Sequence, residues 1–166
     1  MLNNAQKVIV KANISASSDM NAQPNDDIGS QQIGFLYNAI ASPDFWVWKT
    51  SVTEAEIVGA LSQDSTLFSW SAFISRSQGE RDGWMRLFRS GIVNASLPNV
   101  QAAINDIFSG AGSPAVAQRT HIFSVFRRKA TRLEKLLSTG IGSTAAPAIM
   151  GYEGMTDIEE INGARL

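Results

Sequence analysis

Few side chains in these 166 residues could do covalent or acid–base chemistry. There is no cysteine, which removes thiolate nucleophiles, disulfides and thiolate metal sites. His121 is the only histidine, so a nucleophile-and-base pair would have to be built around it or from lysines and carboxylates. At about 100° per residue on a helix, His121 falls on the side of Arg128, Arg132 and Lys135, opposite an apolar stripe. On such a charged face a histidine is expected to be solvated or hydrogen-bonded rather than catalytic. The adjacent acid pairs Asp26–Asp27 and Glu159–Glu160 point their side chains apart, and no acid-rich run has calcium-loop spacing. The glycine-rich stretches SGAGS (109–113) and GIGS (140–143) neither follow a clear strand nor carry a P-loop lysine. The expectation is a non-enzymatic protein with no metal and no cofactor.

The strongest electrostatic feature is local. The fourteen basic and fifteen acidic residues nearly cancel, to a net charge of -1, so no global field steers the chain toward nucleic acid or anionic lipid. The segment HIFSVFRRKATRLEKLLST (121–139) nevertheless holds Arg127, Arg128, Lys129, Arg132 and Lys135 against one acid, Glu134. Read as a helix, it places Ile122, Phe126, Ala130, Leu133 and Leu137 on one side and the basic residues on the other. Two partners suit that basic face: the phosphates of a DNA channel, or an acidic neighbouring subunit. An acidic segment lies downstream, where Glu153, Asp157, Glu159 and Glu160 are interleaved with Ile149, Met150, Tyr152, Met155, Ile158 and Ile161. A basic helix on one copy and an acidic, apolar tail on the next would suit a heterologous head-to-tail contact. The same tail could equally fold back on its own chain.

The elements that must position these residues are mainly helical. A chain of this length suits one domain. A first short helix carries Ala5, Val8, Ile9 and Ala12, a polar loop follows, and a second helix begins near Gln31 with Ile33, Leu36, Tyr37 and Ile40. Ser51 and Glu54 read as a capping box for a third helix, and Ser77 and Glu80 as one for a helix ending near Gly91. The stretch around Phe68, Trp70, Phe73 and Ile74 fits neither period and is read as irregular or weakly helical. Pro98 opens a helix to about residue 108, and Ser113–Pro114 opens the longest one, running to the residue before Gly140. Trp46, Trp48, Trp70 and Trp84, close in sequence, are read as packing rings rather than a stacking platform. Glycines 140, 142, 151, 154 and 163 and Pro147 break the tail, and Thr156 with Glu159 would cap one turn within it. The expected architecture is all-α, a bundle of five or six helices over 1–139 with an extended C-terminal arm over 140–166. The N-terminal residues resemble no signal peptide, and no apolar run is long enough to span a bilayer.

The blocks FWVWKTSVTEAEIVGAL, RSQGERDGWMRLFRSGIVNASLPNVQAAINDIFSG and RRKATRLEKLLSTGIGSTAAPAIMGYEG resemble successive segments of a small-protein family of tailed bacteriophages with long non-contractile tails. The resemblance covers about residues 43 to 154 and is closest in kind to the head-to-tail connector, or adaptor, proteins. It implies a virion protein made in the host bacterial cytoplasm and placed in the neck, forming a homo-oligomeric ring, usually of twelve copies, between the portal protein and the tail or neck proteins. It further implies a C-terminal segment that reaches the portal, an inner surface facing packaged DNA, and no membrane association. The polar loop at 15–30 and Gly83 depart from the family pattern. Two alternatives stay open: a nucleic-acid-binding module using the basic helix, and another virion subunit for tail completion or capsid decoration.

Overall fold

The computed structural model describes residues 1–59 and 66–166. It is 54% helical. The described helices are α1 (Asn4–Ala16), α2 (Ser18–Asn21), α3 (Asp27–Asn38), α4 (Glu54–Gly59), α5 (Trp70–Ile74), α6 (Gln78–Leu87), α7 (Pro98–Ile107), α8 (Ser113–Phe126), α9 (Arg132–Leu136) and α10 (Ile158–Arg165). Six strands of two or three residues accompany them: β1 (Trp46–Trp48), β2 (Val52–Thr53), β3 (Ile92–Val93), β4 (Arg127–Lys129), β5 (Ser138–Thr139) and β6 (Ile149–Met150). The fold is therefore mostly helical but not purely all-α. Among the described residues no helix is long and apolar enough to cross a membrane.

The chain forms two compact units rather than a bundle with an arm. Unit 1 combines Met1–Val47 with Lys129–Leu166, and unit 2 is the continuous stretch Trp48–Arg128. The expected division at 139/140 thus falls inside unit 1.

In unit 1, α1 opens with a capping box in which the Gln6 amide donates to Asn3 Oδ1 and the Asn3 amide to Gln6 Oε1, both at 2.9 Å. The helix buries Val10 and Ile14 and leaves Val8 and Ile9 exposed, the opposite phase from the stripe expected. In KVIVK three apolar residues run together, and the partners decide which faces inward. Helix α3 begins four residues before Gln31, because the Asp26 carboxylate accepts the Gly29 amide at 2.8 Å. Its Ile33 and Tyr37 join Leu2, Val10, Ile14, Met20, Leu133, Leu137, Tyr152, Ile161 and Ala164 in one core.

The C-terminal segment is part of that core, which corrects the extended arm. Strand β5 pairs antiparallel with β6, Ser138 opposite Met150, and α10 packs against α1 and α3. Asn38 exchanges two hydrogen bonds of 2.9 Å with the Thr156 backbone. Helix α10 is capped by Asp157, which accepts the Glu160 amide at 2.8 Å, one residue from the expected Thr156–Glu159 cap. The buried Glu160 carboxylate receives the Leu2 amide at 2.6 Å and the Tyr152 hydroxyl at 2.9 Å. Burying Tyr152, Ile161 and Ala164 is the apolar gain that folds the tail back.

In unit 2, β2 and β3 pair antiparallel with Val52 opposite Val93. This keeps the chain extended through Thr53, so Thr53 and Glu56, rather than Ser51 and Glu54, form the capping box of α4: the Thr53 amide donates to Glu56 Oε2 at 2.8 Å and the Glu56 amide to Thr53 Oγ1 at 3.1 Å. The freed Glu54 carboxylate instead accepts the Trp84 indole N–H at 2.6 Å. The Ser77–Glu80 box and the Pro98 helix stand as the sequence reads them. The core gathers Val52, Ile57, Phe68, Trp84, Phe88, Val93, Ala95, Val100, Ile104, Ile107, Phe108, Ile122, Val125 and Phe126. The tryptophans do not share it equally. Trp84 is buried and Trp48 packs on its border beside Phe123; Trp70 is exposed; Trp46 belongs to unit 1.

The long helix expected over 113–139 is two helices and a strand. Helix α8 takes Gly112 as its cap, one residue before Ser113, and stops at Phe126, after which Arg127 is extended. In unit 1 the Ala130 amide donates to Phe45 O at 2.8 Å, Ala130 O accepts the Ala41 amide at 2.9 Å, and the Arg132 amide donates to Ala39 O at 2.8 Å. A new capping box at Thr131 and Glu134 then starts α9.

Gly83 lies inside α6, and a Cβ there would meet Ile107 Cγ1 at 3.6 Å, an ordinary van der Waals distance. Gly83→Ala should therefore stabilise unit 2 by ~1 kcal/mol, measurable as a raised denaturation midpoint with unchanged m-value. A second prediction concerns acid. Burial pushes the Glu160 carboxyl up, but the hydrogen bonds from Tyr152 and from the Leu2 amide outweigh it and hold it below its ordinary value. A carboxylate lowered in the folded state stabilises fully above its unfolded value, about 4.3, and that contribution disappears as pH falls through the folded value. Glu160→Gln should cost roughly 1–3 kcal/mol at pH 7. In thermal melts stepped from neutral pH toward pH 3, the gap between wild type and variant should shrink; a constant gap would contradict the assignment.

Candidate functional site

The five basic residues do not form one arc. Because α8 ends at Phe126, the helical projection no longer applies beyond it, and the side chains are distributed by a strand, a turn and a new helix. Arg127 and Arg128 are half-buried and belong to unit 2, whereas Lys129, Arg132 and Lys135 belong to unit 1. Lys129 Nζ lies 2.8 Å from Asp44 Oδ2 and 5.9 Å from the Trp46 ring centroid. Arg132 Nη1 donates to Asp19 Oδ2 at 3.0 Å, and this hydrogen bond is the main reason that the Asp19 carboxyl is held below its ordinary value. Lys135 Nζ sits 5.6 Å from the Phe45 ring centroid. Two of the five cations are thus matched by carboxylates of their own unit, and two lie over aromatic faces.

Arg132 and Lys135 do share one feature, a cleft of about 210 Å³ whose other polar walls are Asn13, Ser17, Tyr37 and Ser42. The Tyr37 hydroxyl donates to Asn13 Oδ1 at 2.9 Å, and burial raises its pKa. The cleft falls short of the usual size of a small-molecule site, and the pairing of Arg132 with Asp19 occupies its strongest charge.

His121 is not on a solvated face. It is fully buried in unit 2, with Nε2 2.7 Å from Ile57 O and Nδ1 3.1 Å from Thr66 O and 3.2 Å from Thr66 Oγ1. Its ring therefore fastens α8 to the backbone at the end of α4 and to the segment before α5. Among the described residues, the hydrogen-bond partners of His121 are the carbonyls of Ile57 and Thr66 and the Thr66 hydroxyl, the contacts of a structural pin. Among the described residues no group of three His, Asp or Glu side chains is placed to hold a metal ion.

The predicted tail contacts separate into an inner and an outer set. Tyr152, Glu160 and Ile161 are buried, and Met150 packs on a small cluster of Val47, Ala130 and Ala148. Ile149, Glu153, Met155, Asp157 and Glu159 are exposed, and Ile158 is half-buried. Ile158 lies near Gly34 and Phe35 of α3: a shallow cleft of about 180 Å³ is lined by Gln31, Gly34, Phe35, Asn38, Thr156, Asp157 and Ile158. Ile158 thus shares a cleft with Phe35, which sequence reading left unassigned.

Unit 2 holds a cleft of about 660 Å³. Its floor is Trp84, fixed by the hydrogen bond to Glu54, and its walls are Phe73, Met85, Gln78, Arg81 and Asp82. Arg81 is held by the carbonyls of Ile74 and Arg76 at 2.7 and 2.8 Å. Above Phe73, Trp70 and Ile74 of α5 stand exposed, Trp70 edge-on to Phe73 with centroids 5.9 Å apart. The cleft is aromatic, and its charged lining is mixed, Arg81 with Asp82 and Glu54. Its chemistry is that of a docking surface for an apolar side chain.

No protein-family model matches this chain, and comparison with curated proteins and with solved structures also gives no match.

Proposed function

We propose that the chain is a non-enzymatic structural subunit of the neck of a long-tailed bacteriophage, a head-to-tail connector that assembles between portal and tail proteins. The sequence blocks over residues 43–154 support the phage reading. The observation that carries the structural role is that both units display large apolar side chains in groups, Trp70, Ile74 and Met85 on unit 2 and Ile28 and Phe35 on unit 1. Grouped exposure of this kind marks protein contact surfaces. The alternative DNA-binding reading is weakened by the Lys129–Asp44 and Arg132–Asp19 pairs, which neutralise part of the charge that phosphate contact requires.

The folded tail changes how the portal connection is to be sought. Residues 152–164 complete the core of unit 1, so deleting them would unfold that unit rather than detach an arm. In virions of the phage that encodes this chain, antibody labelling should mark the head–tail junction, and the purified protein mixed with portal should co-sediment with it at a fixed ratio. Label distributed over the capsid shell, or absence of the protein from purified virions, would sink the connector reading. A steep salt-dependent binding of the isolated protein to duplex DNA would revive the alternative.

A further inference from the structure

Among the described residues each unit leaves a group of large apolar side chains uncovered, and the two groups differ in charge. On unit 1, Ile28 and Phe35 are 64% and 68% exposed; seven residues apart on α3, they lie on one helical face. Met155 is 78% exposed, and the shallow groove shared by Phe35 and Ile158 joins α3 to the start of α10. An exposed phenyl ring stands at the edge of a small groove. Its exposed charged neighbours are Asp27, Asp157 and Glu159. The nearby Arg165 is turned inward onto Ser30 Oγ and the Pro24 carbonyl, at 3.0 and 2.8 Å.

On unit 2, Trp70 and Ile74 are 52% and 65% exposed, and Met85 is 61% exposed. Trp70 and Ile74 are one turn apart on α5, and Met85 lines the 660 Å³ cleft with Phe73 and Trp84. The exposed charged neighbours on α6 and just beyond it are Arg86 and Arg89. Of the two acids that line the cleft, Glu54 is engaged by the Trp84 indole, and Asp82 stands against the three arginines Arg81, Arg86 and Arg89. The same contrast holds for the whole units. Unit 1 carries nine acidic against six basic residues, and unit 2 eight basic against six acidic. A near-neutral chain has thus sorted its charge into an acidic unit and a basic one.

We propose that the partner of each face is a second copy of this chain: the Ile28–Phe35–Ile158 face of one copy docks into the α5–α6 cleft of the next, with Phe35 as the ring that enters the cleft. This deepens the connector reading and rests on its premise of self-assembly. Charge complementarity selects the pairing. Joining two unit 1 faces would set Asp27, Asp157 and Glu159 against their own kind, and joining two unit 2 faces would do the same for Arg86 and Arg89, whereas the mixed contact places acids opposite arginines. Such a contact is heterologous, so each copy keeps one face of each kind available for a further neighbour.

The test uses the full chain and three samples measured by sedimentation velocity. Wild type should associate as its concentration rises, and association should weaken with added salt. Phe35→Glu, on the unit 1 face, and Ile74→Asp, on the unit 2 face, should each be monomeric under those conditions, with association at least about tenfold weaker. Both positions are exposed, and circular dichroism checks that each variant keeps its helices. The decisive sample is the mixture. Phe35→Glu retains an intact cleft and Ile74→Asp an intact unit 1 face, so together they should form a one-to-one dimer and nothing larger. Wild type that stays monomeric to its solubility limit, either variant assembling as wild type does, or a mixture that remains monomeric would each overturn the proposal. These outcomes are separable from failure of the connector reading: a protein found in the virion neck yet monomeric alone would remove this interface and leave the neck assignment standing.

Discussion

The structure depends on where the backbone of Ala130 finds its hydrogen-bond partners. A peptide group in a packed interior must be paired, and a continuous helix through residue 130 would have supplied its partners from within. Here the Ala130 amide and carbonyl bond instead to Phe45 and Ala41, which obliges the chain to leave the helix after Phe126. The same segment, 39–46, is held on its other side, since the Trp46 amide donates to Gly142 O at 2.7 Å and Trp46 O accepts the Ala148 amide at 2.8 Å. Residues 39–46 are thus lined on two sides by pieces from the far end of the chain. Everything after Phe126 follows from this: Lys129 reaches Asp44, α9 is free to start at Thr131, and the tail is delivered to the core formed by α1 and α3. Gly142 is part of the arrangement, since its φ of 72° and the Phe45 ring, 2.1 Å from where a Cβ would lie, admit no side chain.

The division of labour between the units is also electrostatic. In unit 1 the charges nearest the core are absorbed by short-range geometry: Glu160 by an amide and a phenol, Glu134 by the amides of Thr131 and Gly154 at 2.9 and 3.2 Å. Buried carboxylates held this way are specific but intolerant, because removing one donor leaves a desolvated charge. Three of the acids that remain outside, Asp27, Asp157 and Glu159, also serve helix N-termini: Asp27 and Glu159 lie in first turns and Asp157 is a cap. These residues therefore stabilise helix ends and add to the surface sign of unit 1.

Local signals were legible in the sequence, and long-range ones were not. The Ser77–Glu80 box and the Pro98 helix read correctly because a cap is decided by residues within one turn of it. Thr131 and Glu134 carry the same signature as Ser77 and Glu80, inside the helix that periodicity predicted; it marked the start of α9, but the unbroken run of apolar residues at helical spacing masked it. The phase of α1 was not decidable locally, since Val8, Ile9 and Val10 all compete for the inward position until Met20, Ile33 and Ile161 are in place. Strands of two or three residues leave no period to detect. For the candidate surfaces, Trp70 and Ile74 were visible as an ambiguous apolar stretch, and Phe35 was not singled out, because exposure of a given face depends on which neighbours arrive. His121 illustrates the same limit: its projection onto a charged face was sound for an isolated helix, and the carbonyls of Ile57 and Thr66 were the missing information.

The order in which the units occur along the chain has a consequence for biosynthesis. Unit 2 is one continuous stretch, so it has all its partners once Arg128 has cleared the ribosome. Unit 1 is begun first and finished last: Val10, Ile14 and Ile33 must wait for Leu133, Tyr152 and Ile161 before their core can close. Throughout translation of the intervening residues, the apolar sides of α1 and α3 are therefore exposed in the nascent chain, a condition that favours chaperone capture or premature association over folding.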